Sequence, residues 1–133
     1  MGSTSTAAAQ PVAHLIQGHH GSGITKAVRS LWHCMGRDMP LRIPHHTAGP
    51  EAMVGEVALA ASGILFLDDI LEFRTSTLRR TFAVWRQMHP KAQPILVIGL
   101  RLSDDQRSAE FEWPRIQRLA EDLPLIKHHL IAD

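Results

Sequence analysis

Short apolar runs alternate along the chain with longer stretches in which apolar positions recur every three or four residues. Residues 12–16 form the first run, and a glycine-rich turn follows, Gly18-His19-His20-Gly21-Ser22-Gly23. Ala27, Val28, Leu31, Trp32 and Met35 then repeat at helical spacing, and Gly36 and Pro40 end that helix. Residues 41–43 read as a short second strand, and residues 51–61, rich in small side chains, as one or two helical turns. Ile64-Leu65-Phe66-Leu67 lacks polar alternation, which suits a strand covered on both faces in a parallel sheet. Leu78, Phe82, Trp85 and Met88 put an amphipathic helix over residues 77–88, and residues 95–100 are a further wholly apolar strand. Residues 104–112 are polar and read as surface loop. Pro114 suits the first turn of a helix carrying Ile116 and Leu119, and residues 125–131 read as a last strand. The alternation predicts an α/β layer fold with a mostly parallel sheet.

Composition narrows the function classes. A length of 133 residues supports one domain, expected over residues 11–133, with an uncharged Ser/Thr/Ala-rich tail at 1–10. A 44% hydrophobic share is enough for a core and excludes wholesale disorder. The net charge of +1 lacks the basic field of a dedicated nucleic-acid binder, so that partner has no support. One cysteine, Cys34, excludes a disulfide-stapled fold and fits a reducing cytoplasm. No apolar run approaches the roughly 20 residues of a membrane span.

The glycine-rich turn is the first place where chemistry concentrates. A strand, a glycine loop and a helix start bring successive N–H groups together around an anion. Gly18-His19-His20-Gly21-Ser22-Gly23-Ile24-Thr25 fits G-x-x-x-x-G-K-[ST] except that Ile24 replaces the lysine. Lys26 lies two residues on, about 200° around a helix, and does not simply substitute. Asp68 and Asp69 close the apolar run at 64–67, which puts two carboxylates at the ligand-binding edge of an open α/β sheet. There Asp68 is suited to hold magnesium and Asp69 to polarise an attacking water. Tight packing is the lesser alternative for glycines in such a turn, and solvated loop positions or helix caps an alternative for acids at a strand end.

The stretch from Leu41 to Phe73 adds a likeness. Pro44-His45-His46-Thr47-Ala48, Ala52-Met53-Val54-Gly55, Gly55-Glu56-Val57-Ala58-Leu59-Ala60 and Gly63-Ile64-Leu65-Phe66-Leu67-Asp68-Asp69-Ile70-Leu71-Glu72-Phe73 resemble the magnesium-chelatase-like AAA+ ATPases. The nearest pattern is that of the competence-associated bacterial branch, P-H-H-T-A-S, A-L-V-G, G-E-I-S-L-A and G-V-L-F-L-D-E-L-P-E-F. The resemblance implies a three-layer P-loop NTPase-like core, here without the helical lid domain. It implies ATP or ADP as ligand and Mg²⁺ as cofactor. Gly18, Gly21, Ser22, Gly23, Ile24 and Thr25 would line the nucleotide, Thr25 and Asp68 would hold the metal, and Asp69 and Arg118 would be catalytic. Its implied partners are further copies of the chain or a full-length AAA+ relative.

Departures from the pattern bear on activity. Ile24 brings no charge to a triphosphate, Asp69 is one methylene shorter than the family's glutamate, and Arg101 stands near where a polar asparagine is expected. Phosphoryl transfer rests on positioning and charge compensation, so these losses point to nucleotide binding with weak or lost hydrolysis. The alternative is a non-catalytic pseudo-ATPase that serves as an interaction module. A lysine restored at position 24 is expected to strengthen ATP binding at least tenfold, about 1.4 kcal/mol. The paired histidines, His19-His20, His45-His46 and His128-His129, read mainly as polar loop residues, with a metal site as the minor reading. Trp32, Trp85 and Trp113 are spaced as core anchors.

Overall fold

The structure, a computed structural model, describes residues 12–19, 21, 23–36, 38–102, 117–118, 121 and 126–130. The expected tail at 1–10, Ser22, the loop at 104–112 and most of the helix beginning at Pro114 lie outside the described residues. In chain order the elements are β1 (Ala13–His19), α1 (Ile24–Met35), β2 (Leu41–Arg42), α2 (Pro50–Leu59), β3 (Ile64–Leu67), a 3₁₀ turn (Ile70–Glu72), α3 (Thr75–Gln87), β4 (Ile95–Leu102) and β5 (Ile126–Leu130).

All five strands are parallel and form one sheet in the order β2-β3-β4-β1-β5. Strand alternation sends Ile64 and Phe66 of β3 and Val97 of β4 to one face, where Ile24 and Val28 of α1 cover them. Leu65, Leu67, Leu96, Ile98 and Leu100 go to the other face, under Met53 and Val57 of α2 and Leu78, Phe82 and Trp85 of α3. Helices therefore flank the sheet on both sides, which explains why the central strands carry no polar positions. Chain direction accounts for the division. The β1-to-β2 connection runs one way along the sheet and the next two run back, and right-handed crossovers in opposite directions fall on opposite faces. Phe66, Phe82 and Trp85 are the largest fully buried side chains, and burying each contributes about 1.5–3 kcal/mol.

Several boundaries differ from the expected ones. β1 and β4 run on to His19 and Leu102, because Gly18 pairs with Arg101 and His19 with Leu102 after both apolar runs have ended. α2 has ten residues instead of one or two turns. Its hold is tertiary: Met53 and Val57 reach the core, and Glu56 forms a two-pronged ion pair with Arg42 of β2, Nε to Oε2 and Nη2 to Oε1 both 2.8 Å. Trp85 is the core anchor expected, its indole N–H donating to the Pro94 carbonyl at 2.9 Å, whereas Trp32 is half-buried. No helix among the described residues is long and apolar enough to cross a membrane.

Candidate functional site

The carboxyl ends of β1, β4 and β3 lie side by side, with β4 in the middle. The chain leaves β1 toward β2 and leaves β4 toward β5, in opposite directions along the sheet. A crevice opens where neighbouring connections part in this way, and ligands of open α/β sheets bind there.

On the β1 side, Gly21 and Gly23 adopt φ of 82° and 94°, the left-handed region that favours glycine. Gly23 is the N-cap of α1 and, having no side chain, gives no side-chain cap. The first N–H groups of α1 thus meet no capping oxygen from that residue. A Cβ on either glycine meets nothing within 4 Å among the described residues. Gly18 is buried in β1, and Thr25 stands half-buried in the first turn of α1. The Ile24 side chain is fully buried between α1 and the sheet, which leaves its backbone N–H as the part able to face an anion.

On the β3 side, Asp68 follows the last strand residue directly. Gly99 of β4 sets its position, since a Cβ there would lie 2.1 Å from the Asp68 carbonyl oxygen. Only a glycine lets the end of β3 pass so close over β4. Arg101 shares the alternation of Val97 and Gly99, which places it on the α1 face. Its Nε donates to Asp68 Oδ1 at 3.0 Å, and its Nη2 donates both to Asp68 Oδ1 and, at 2.8 Å, to Thr25 Oγ1. One guanidinium nitrogen therefore joins the glycine-rich turn to the acidic strand end. The Arg101 side chain is 15% exposed.

Asp69 is half-buried and caps the 3₁₀ turn, its Oδ1 accepting from the Leu71 N–H at 3.3 Å. A cavity of about 280 Å³ adjoins it, lined in part by Asp68, Asp69, His45, His46 and Phe73. His45 Nδ1 faces the Thr47 hydroxyl at 2.7 Å and accepts from the Thr47 N–H at 3.3 Å, while His46 sits edge-on to Phe73. The histidine motif thus forms one wall of this cavity, held by its own turn. Among the described residues, no three His, Cys, Asp or Glu side chains are grouped as a metal would need. Arg118 is exposed on the helical piece at 117–118.

Geometry thus brings Gly18, Thr25 and Asp68 to Arg101, a residue the motif reading had noted only as a departure from the family pattern. Its signal in the sequence was a cation directly after the apolar run at 95–100; the structure sets it opposite Gly18, the first glycine of the turn. Glu56 was read only as part of a motif. Its bond to Arg42 draws the Glu56 carboxyl below its ordinary range, and the same bond raises Arg42.

Residues 19–83 match the family model of magnesium chelatase, subunit ChlI. This segment belongs to the magnesium chelatase family. The uncharacterized protein YifB of Escherichia coli is 41% identical over 61 residues, covering 40% of this chain and 11% of that protein. The competence protein ComM of Haemophilus influenzae is 40% identical over 50 residues, covering 32% of this chain and 10% of that protein. The chain thus corresponds to about a tenth of the length of these relatives. The magnesium-chelatase-family segment runs from the end of β1 through most of α3 and holds the glycine turn, the histidine motif and both aspartates.

Proposed function

We propose that the chain is a nucleotide-binding AAA+ core fragment that holds ATP or ADP by its phosphates without hydrolysing ATP efficiently. The observation that carries this reading is the single nitrogen of Arg101 bonded to both Thr25 and Asp68. It supports a common crevice for the glycine turn and the acidic strand end. In this reading the backbone N–H groups of Gly21, Gly23 and Ile24 cradle phosphate oxygens, with the N-terminus of α1 favouring the negative charge. Thr25 and Arg101 supply further donors. Asp69 stands beside the crevice where a water would be oriented, yet it already serves as a cap. Arg118 would act on nucleotide only through an assembly with further copies or a full-length relative. The buried Ile24 removes the charge that phosphoryl transfer relies on, which supports binding over turnover.

The same buried isoleucine favours a second reading, an interaction module that keeps the fold and has abandoned the ligand. Titration calorimetry with ATP and ADP separates the two. Expected are measurable binding, turnover near background, and at least a tenfold loss of affinity in Gly23→Val, where a branched side chain meets a φ of 94°. Absence of heat with either nucleotide would leave the interaction module.

A further inference from the structure

We infer that Arg101 takes the place of the divalent cation that the family fold implies, so that the crevice receives a polyphosphate without magnesium. The part concerning polyphosphate rests on the nucleotide-binding reading above. The part concerning the cation rests on geometry alone.

Magnesium binds oxygen ligands at about 2.0–2.1 Å in a nearly ideal octahedron. The oxygens that would receive it are Thr25 Oγ1 and Asp68 Oδ1, and one Arg101 nitrogen bonds both. A second cation at that point would have to break both hydrogen bonds and face a positive charge already seated there. The residues present do not fit the metal.

Arg101 is also well held. It lies within β4, and its backbone pairs with Gly18 of β1. Two of its nitrogens engage Asp68. Its guanidinium brings a positive charge to the crevice. Its planar set of five N–H donors suits phosphate oxygens. The same charge answers the other gap in the motif, because Ile24 brings none. A single built-in cation thus stands in for both the lysine and the metal. It leaves ligand binding with fewer positive charges than a lysine and a divalent ion together would provide, in keeping with weak or absent turnover.

The test uses the full 133-residue chain and two variants, Arg101→Asn and Arg101→Lys, with circular dichroism to verify folding. Manganese alone, followed by electron paramagnetic resonance, reads the cation position without nucleotide. Wild type and Arg101→Lys are expected to show no specific manganese site. Arg101→Asn frees Thr25 and Asp68 and is expected to bind manganese at least tenfold more tightly than wild type. Equal manganese binding by wild type and Arg101→Asn overturns the inference, as does failure of Arg101→Asn to gain any. A second arm titrates ATP in EDTA and in magnesium. Wild type is expected to bind equally in both, and Arg101→Asn to lose at least tenfold in EDTA. Binding by wild type only in magnesium overturns the inference while the nucleotide reading stands. Binding in neither medium defeats the nucleotide reading, and manganese then decides the cation position by itself.

Discussion

Ile24 occupies the position of a phosphate-binding lysine, but its side chain fills the core among Val28, Ile64, Phe66 and Val97. That placement reverses the expectation formed for a restored lysine. An ammonium group at position 24 would enter an apolar layer with no partner among those four residues, and an unpaired buried charge costs several kcal/mol. Ile24→Lys is therefore expected to lower stability by on the order of 3 kcal/mol, without improving ATP affinity. Thermal melts beside a calorimetric ATP titration check both halves. An unchanged melting temperature with tighter ATP binding would mean that a longer side chain escapes the core and reaches the turn. Gly99 acts at the same scale through what it lacks: the space vacated by its missing Cβ is filled by the Asp68 carbonyl. Two residues apart on β4, Gly99 lets Asp68 approach and Arg101 holds it.

Elements differ in how openly the chain declares them. The apolar run at 64–67 coincides with β3, because helices cover that strand on both faces. β1 and β4 outrun their apolar stretches, since Gly18 with Arg101 and His19 with Leu102 are paired through backbone, which an apolar run does not record. The motif reading therefore found two ends, the turn and the acids, and took the arginine between them only as a departure from the family pattern. Parallel register between strands distant in sequence is a tertiary property. α2 was under-read for a related reason: small residues and Gly55 weaken its periodicity, and its anchor is the Arg42–Glu56 pair across to β2. The Glu56 carboxyl is lowered first by that hydrogen bond. A depressed carboxylate stabilises the fold above the unfolded value near 4.5, and its contribution is lost as pH falls through the folded value. Melting temperature is expected to decline in that acid window for wild type and to flatten there in Glu56→Gln, measured by thermal scans from pH 6 to pH about 3.

At the scale of the whole sheet, β2 and β5 are its two edges, and each is fastened by a titratable contact. β2 has only two paired residues and relies on Arg42–Glu56. β5 is partly exposed and pairs with β1, where His14 Nδ1 and His129 Nε2 lie 3.1 Å apart with their rings stacked. Gln17 Oε1 and His128 Nε2 meet at 2.8 Å on the opposite face. A hydrogen bond between two imidazoles needs one nitrogen lone pair, so it is lost when both rings are protonated. Burial pushes His14 below its ordinary value near 6.5, and the neighbouring His129 and Lys127 push in the same direction. Between 6.5 and that lower folded value, the unfolded chain binds the proton more readily than the native one. The contribution of His14 is therefore intact above pH 6.5 and declines as pH falls through the folded value. The edges should loosen in sequence on acidification, β5 first and β2 only after the carboxylate begins to protonate. Hydrogen exchange read by residue checks this: β5 amides are expected to lose protection in the histidine window while β2 amides keep theirs. His14→Phe should remove the first phase and leave the second. Simultaneous loss at both edges would show that the sheet opens as one unit and that neither contact acts locally.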